Sequence, residues 1–199
     1  MHNKQNTVGF GLLALSQFSL VGLAVFLLWL LEIQLPTSAI SSAQAIAVGT
    51  LLALLTLAVF GVIYRIGGWF AQSLLNDIRR VSVIFNGRSW WHLALVAVFA
   101  GVGEELLFRG VLQLWLNQYC SITVAILIVS IVFGLLHYLS HAYFICTVLM
   151  SIAFGVGYYF TDSMLMVMVW HGVYDFMALL ILVKFPHVIG LYSSPDPDA

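Results

Sequence analysis

Apolar residues run on for about 20 positions at a time, again and again along the chain, and that repetition leaves it one kind of fold. The stretches fall at 8–31, 40–66, 91–116, 122–138, 143–160 and 164–183. A helix satisfies its own backbone hydrogen bonds in lipid, as does a closed barrel. Barrel strands alternate polar and apolar residues over about ten positions, and these stretches do not. At 62% hydrophobic and 8% charged, the 199 residues cannot cover a soluble domain with polar groups. The expected fold is therefore all-α, a polytopic transmembrane helical bundle of about six spans.

An even number of spans puts both termini on one side, and Lys4, Arg65, Arg79, Arg80, Arg88 and Lys184 all fall there. The positive-inside rule makes that side the cytoplasm, so the expectation is a multi-pass protein of the cell membrane with cytoplasmic termini. Glu32, Pro36, the turn at 117–121 and Asp162 lie opposite. The first apolar run exceeds a signal-peptide core and no small-residue cleavage site follows it, so it reads as a retained anchor. Between the second and third spans, Phe70, Leu74, Ile78, Val81 and Phe85 recur at helical spacing, with Gln72, Asn76, Arg79 and Arg80 on the other side. This is the pattern of an amphipathic helix lying in the interface against membrane lipids, flanked by Trp69, Trp90 and Trp91. No basic face for nucleic acid exists. Cys120 and Cys146 lack a CxxC pairing and read as small buried hydrophobes. Three regions result: N-terminal spans with the interfacial helix (1–89), a core (90–184), and a polar tail (185–199) whose Ser194-Pro195-Asp196-Pro197 is expected to be disordered.

Glu104, Glu105 and Arg109 interrupt the third span. Each ionisable side chain near a bilayer centre costs roughly 2.5–3.5 kcal/mol on insertion scales, so three within six residues point to a site that the rest of the chain holds. Adjacent helical residues diverge by about 100°, so the two glutamates need different partners. Glu105 precedes Arg109 by four residues, the favoured order for an ion pair, and Gln113 continues that ridge. Glu104 has no counter-charge on its own helix and is a candidate general base. His137 ends the fourth span, while His171 and Asp175 lie one turn apart in the sixth. A carboxylate, two imidazoles and a further polar group on three helices can activate a water for attack on a carbonyl. The bland alternatives are an interfacial His137, a mutually neutralising His171–Asp175 pair, an interfacial His92, and a His141 that sits in a turn rather than pairing with His137 around a metal. Depth is a tension: span counting puts Glu104 mid-membrane, His137 near the cytoplasmic end and His171 nearer the outer end. Tilted or broken helices, with a bend permitted at Gly101 and Gly103, are one remedy; a short or re-entrant segment counted as a full span is the other.

Glu104-Glu105-x-x-x-Arg109, Phe133-x-x-x-His137 and His171-x-x-x-Asp175 follow one another in the order of the EExxxR, FxxxH and Hxxx(N/D) patterns. In this the chain, from about Trp90 to Lys184, resembles the CPBP intramembrane proteases, also called the CAAX protease and bacteriocin-processing or Abi family, which includes the type II CAAX prenyl endopeptidases. The resemblance implies that Glu104 activates water with His137, that His171 and Asp175 stabilise the oxyanion, and that Glu105 and Arg109 shape the site. It implies no firm cofactor; zinc held by Glu104, His137 and His171 is the alternative. Asp175 stands where prenyl-protein members have asparagine, and an ionised carboxylate accepts hydrogen bonds without donating them. It is therefore either protonated in its apolar setting or, the favoured expectation, orients His171 from behind as an acceptor.

The resulting expectation is an intramembrane endopeptidase of a bacterial plasma membrane acting on a membrane-associated peptide or protein. The alternatives are a noncatalytic scaffold or bacteriocin-immunity protein of the same fold, and a proton-coupled transporter using the same buried groups.

Overall fold

The computed structural model describes residues 2–185, so the proline-broken tail lies outside the described residues. All of its regular structure there is helical: α1 (His2–Leu30), α2 (Ser42–Ile66), α3 (Gly68–Phe85), α4 (Trp90–Glu105), a π-helical segment (Leu106–Gln113), α5 (Leu114–Leu116), α6 (Ile122–Leu136), α7 (His141–Thr161) and α8 (Met164–Lys184). Each apolar stretch of the sequence is one of these rods. Among the described residues, Phe10–Leu30, Ser42–Ile66, His141–Thr161 and Met164–Lys184 are long and apolar enough to cross a membrane by themselves. The rod from α4 to α5 is continuous but carries the charged residues. α6 is apolar and short, with 15 residues.

Local chemistry sets the ends. Ser41 and Gln44 form a reciprocal capping box at the start of α2. Ser121, Ser140 and Ser163 accept backbone N–H bonds at the starts of α6, α7 and α8. The chain reverses from α2 into α3 through Gly67 and Gly68, whose φ values of 74° and 80° belong to a region that side chains avoid.

α8 is the centre of the bundle, packed between α2 and α4, with α1 against α4 and α6 against α7. Its inner face meets α7 through Phe154, Tyr158, Met166 and Trp170. Outward faces carry Leu12, Phe18, Leu51, Leu55, Leu127, Ile131, Leu149 and Phe160, as a lipid-facing surface requires. α3 is the amphipathic helix read from the sequence, and Trp69, Trp90 and Trp91 point outward beside it. One residue breaks its polar face: Asp77 is buried and accepts a hydrogen bond from Ser140, the cap of α7. Ser73 bonds the same hydroxyl at 3.2 Å, so α3 is pinned to the turn between α6 and α7.

No break in the helix occurs at Gly101 and Gly103; α4 is continuous α-helix through both. The glycines serve close approach instead. A Cβ on Gly101 would lie 2.8 Å from the Met168 carbonyl oxygen and 2.9 Å from the Gly172 nitrogen, and one on Gly103 would lie 3.1 Å from the Gln17 carbonyl oxygen. Small residues at helix crossings let backbones touch, the usual device of membrane bundles. The irregularity comes after the glutamates, in the π-helical segment.

Gly101→Val should lower the unfolding temperature of the detergent-solubilised protein by several degrees, since overpacking costs about 1–3 kcal/mol. Gly61→Ala, where an added Cβ meets nothing within 4 Å, should leave it unchanged or slightly raised.

Candidate active site

The guanidinium of Arg109 belongs to the largest fully buried side chain among the described residues. It donates to Glu105 Oε1 at 2.9 Å, to the Ser151 carbonyl at 3.0 Å and to Ser151 Oγ at 2.8 Å. The rings of Phe133 and Phe154 lie 5.3 and 5.2 Å from its central carbon, within cation–π range. Gln113, one turn further, donates to the Gly155 carbonyl at 3.2 Å. The ridge Glu105–Arg109–Gln113 thus faces α7, and Gly155 leaves room for the amide.

Glu105 Oε1 also takes a hydrogen bond from His171 Nδ1 at 2.7 Å. One carboxylate oxygen therefore joins the cation of the α4–α5 rod to the imidazole of α8. His137 is held differently. It stands at the C-terminal cap of α6, and its Nδ1 bonds the Phe133 carbonyl at 2.8 Å. A carbonyl only accepts, so the proton is on Nδ1 and Nε2 is left facing away from the helix. Phe133 stacks on the His137 ring with centroids 4.2 Å apart, and Phe154 stacks on His171 at 5.2 Å.

Both imidazoles turn Nε2 toward one atom, Oε2 of Glu104. His137 Nε2 is 3.5 Å from it and His171 Nε2 is 4.0 Å. Glu104 is buried, and this oxygen has no hydrogen-bond partner among the described residues. Its other oxygen accepts from Gln17 Nε2 at 3.0 Å. Asp175 Oδ2 lies 3.4 Å from His171 Nε2.

The structure thus brings Glu104, His137, His171 and Asp175 together, with Glu105 and Arg109 alongside. Whatever their depths, the three groups meet: His137, at the end of the 15-residue α6, reaches Glu104 in the middle of the α4–α5 rod beside His171 in the first half of α8. Asp175 is not behind His171. That position belongs to Glu105, which holds Nδ1, because one helical turn carries Asp175 to the Nε2 side of the ring. His141 is exposed and bonds Tyr138 Oη at 3.0 Å, away from His137. His92 bonds Ser89 Oγ and stacks on Trp91 at the start of α4. Cys146 is buried against Leu74 and Ala142. Among the described residues, no three His, Cys, Asp or Glu side chains are grouped closely enough to stand out as a metal site.

Sequence reading missed Gln17, Ser151 and Asp77. Gln17 was the most findable, as the sole amide within the apolar run of α1. Ser151 is an ordinary small residue of a membrane helix, and only the fold sets it against Arg109.

Residues 86–177 match the family described as type II CAAX prenyl endopeptidase Rce1-like. An uncharacterized protein of Bacillus subtilis (strain 168), YpbD, is 30% identical over 123 residues, which cover 60% of this chain and 60% of that relative. The chain therefore spans about 60% of the length of the curated relative it matches. No solved structure matches it significantly. The matched segment contains all three motifs read from the sequence, and the resemblance holds over that segment.

Arg109→Met should destabilise the protein by about 3–5 kcal/mol in a denaturant titration, because it strands a buried carboxylate. Ser151→Ala, which leaves the carbonyl bond in place, should cost about 1 kcal/mol.

Proposed function

We propose that this chain, Rce1-like over residues 86–177, is an intramembrane endopeptidase that cleaves a membrane-associated peptide or protein with a water activated by Glu104. The observation that carries the reading is the convergence of two Nε2 atoms from separate helices on Glu104 Oε2, at 3.5 and 4.0 Å. These contacts are longer than most direct hydrogen bonds, so Oε2 keeps its capacity to accept from a water placed beside the three groups.

In this reading Glu104 takes a proton from the water as its oxygen attacks the scissile carbonyl carbon, and later returns that proton to the departing amine. His137 holds the water through Nε2. His171, as an imidazolium, donates from Nε2 to the developing oxyanion, and Asp175 beside the same nitrogen offsets that charge. Glu105, itself fixed by Arg109, keeps the ring in place through Nδ1. The core is residues 90–184, with both termini on the cytoplasmic side of a bacterial plasma membrane. In this reading the substrate approaches at the α6 end of the site, from the cytoplasmic leaflet, a reading supported by His137 being about one third exposed.

The test uses the purified protein in proteoliposomes with a library of membrane-anchored peptides, products being identified by mass. Cleavage is expected, unaffected by a chelator. Glu104→Gln should reduce it at least about a hundredfold, the lower range for losing a general base, while insertion is retained. Unchanged cleavage in Glu104→Gln would overturn the mechanism, and loss to the chelator would favour a metal. No cleavage by the wild type, together with a cellular phenotype that survives Glu104→Gln, would favour a scaffold.

Asp175→Asn should retain activity within about tenfold, whereas Asp175→Leu should lose most of it, since only the amide keeps a polar partner at Nε2. Equal and complete loss in both would show that Asp175 does more than offset the charge of His171.

A further inference from the structure

Among the described residues, Glu104 is the only member of the polar cluster tied to α1. Gln17 Nε2 donates to its Oε1 at 3.0 Å, and Gln17 lies far outside the segment 86–177 that carries the family match. The contact depends on backbone fit. Gly103, the residue before Glu104, has no side chain, and a Cβ there would lie 3.1 Å from the Gln17 carbonyl oxygen and 3.2 Å from Leu20 Cβ. α1 can therefore lie against α4 at the height of the carboxylate. The exposed Phe18 meets Phe99 edge-on at 5.5 Å on the same seam, so the register is set by ring packing as well.

A carboxylate has two oxygens and can rotate between them. Neither Glu105 nor Arg109 bonds Glu104, and its two imidazole neighbours are at 3.5 Å or more. The amide of Gln17 thus makes the one short hydrogen bond to this side chain among the described residues. Its own Oε1 is buried without a partner among them, so the amide is held for what its nitrogen does.

We propose that Gln17 is a positioning residue for Glu104: by holding Oε1, it fixes the rotation of the carboxylate and presents Oε2 to His137 and His171. The site is therefore completed by α1, and residues 86–177 alone do not contain it. This rests on the reading of Glu104 as the base, and the experiment separates the two.

Gln17→Met keeps the length and bulk of the side chain and removes the donor. The full chain in detergent is followed by infrared spectroscopy, the Glu104 carboxyl band being assigned by its loss in Glu104→Gln. That band should shift in Gln17→Met and stay in place in Ser16→Ala, a neighbour whose hydroxyl bonds the Leu13 carbonyl. With the library peptide that the wild type cuts best, Gln17→Met should lower kcat by roughly tenfold, as loss of one hydrogen bond to a charged group implies, with KM little changed. A packing role alone would leave both readouts at their wild-type values in Gln17→Met, and an unmoved band overturns the inference whatever the activity. A shifted band in a protein that cleaves no peptide sustains the contact and overturns the proposed function instead.

Discussion

A guanidinium enclosed by protein, with no exposure, is the constraint around which the bundle is organised. Arg109 can stay charged there only because Glu105 and both polar groups of Ser151 are already in place. Those bonds fasten the α4–α5 rod to α7, and the second bond of Glu105 Oε1 brings in α8 through His171. Desolvation offsets much of the Coulombic gain, so the network contributes little net stability. It contributes register. Sliding α7 by one turn would take both Ser151 groups away from the cation, and apolar packing alone would permit such a slip.

That division of labour explains what the amino-acid order reveals. The length of the apolar runs specified the helices, and the amphipathic spacing of Phe70, Leu74 and Phe85 specified α3. Ionisable groups inside oily stretches marked Glu104, Glu105, Arg109, His171 and Asp175, because lipid makes such groups rare. The i, i+4 spacing of Glu105 and Arg109 identified a pair that needs no tertiary knowledge. What stayed hidden depends on neighbours from other helices. Ser151 offers nothing distinctive until Arg109 is opposite it. Asp77 reads as part of a wet face, yet the cap of α7 reaches it. Asp175, one turn along α8, meets Nε2 because Glu105 of α4 already holds Nδ1, a partner from another helix that a one-dimensional pattern does not carry.

The glycines show how a correct observation can receive the wrong cause. Gly101 and Gly103 stand just before the glutamates, and flexibility is the familiar property of glycine. In lipid the stronger property is smallness, since dispersion between closely packed helices replaces the hydrophobic effect as the driving force. The helix stays unbroken at these residues and its neighbours come close. The geometric adjustment is made further along, where i→i+5 bonding widens the rod around Arg109, a distortion frequent at functional sites.

At the crossing of α4 and α8 the two main chains meet at Gly101 and Gly172, about one turn from Glu104 and next to His171. The separation of the two helices beside the carboxylate and the imidazole is consequently set by peptide atoms, which have no rotamers to exchange. Side chains on the outer flanks of the same helices, such as Leu95 and Val98, are free to follow the thickness and composition of the surrounding lipid. Drift on that greasy exterior can proceed without being felt at the centre, so an organism can retune its bilayer and leave the polar cluster intact.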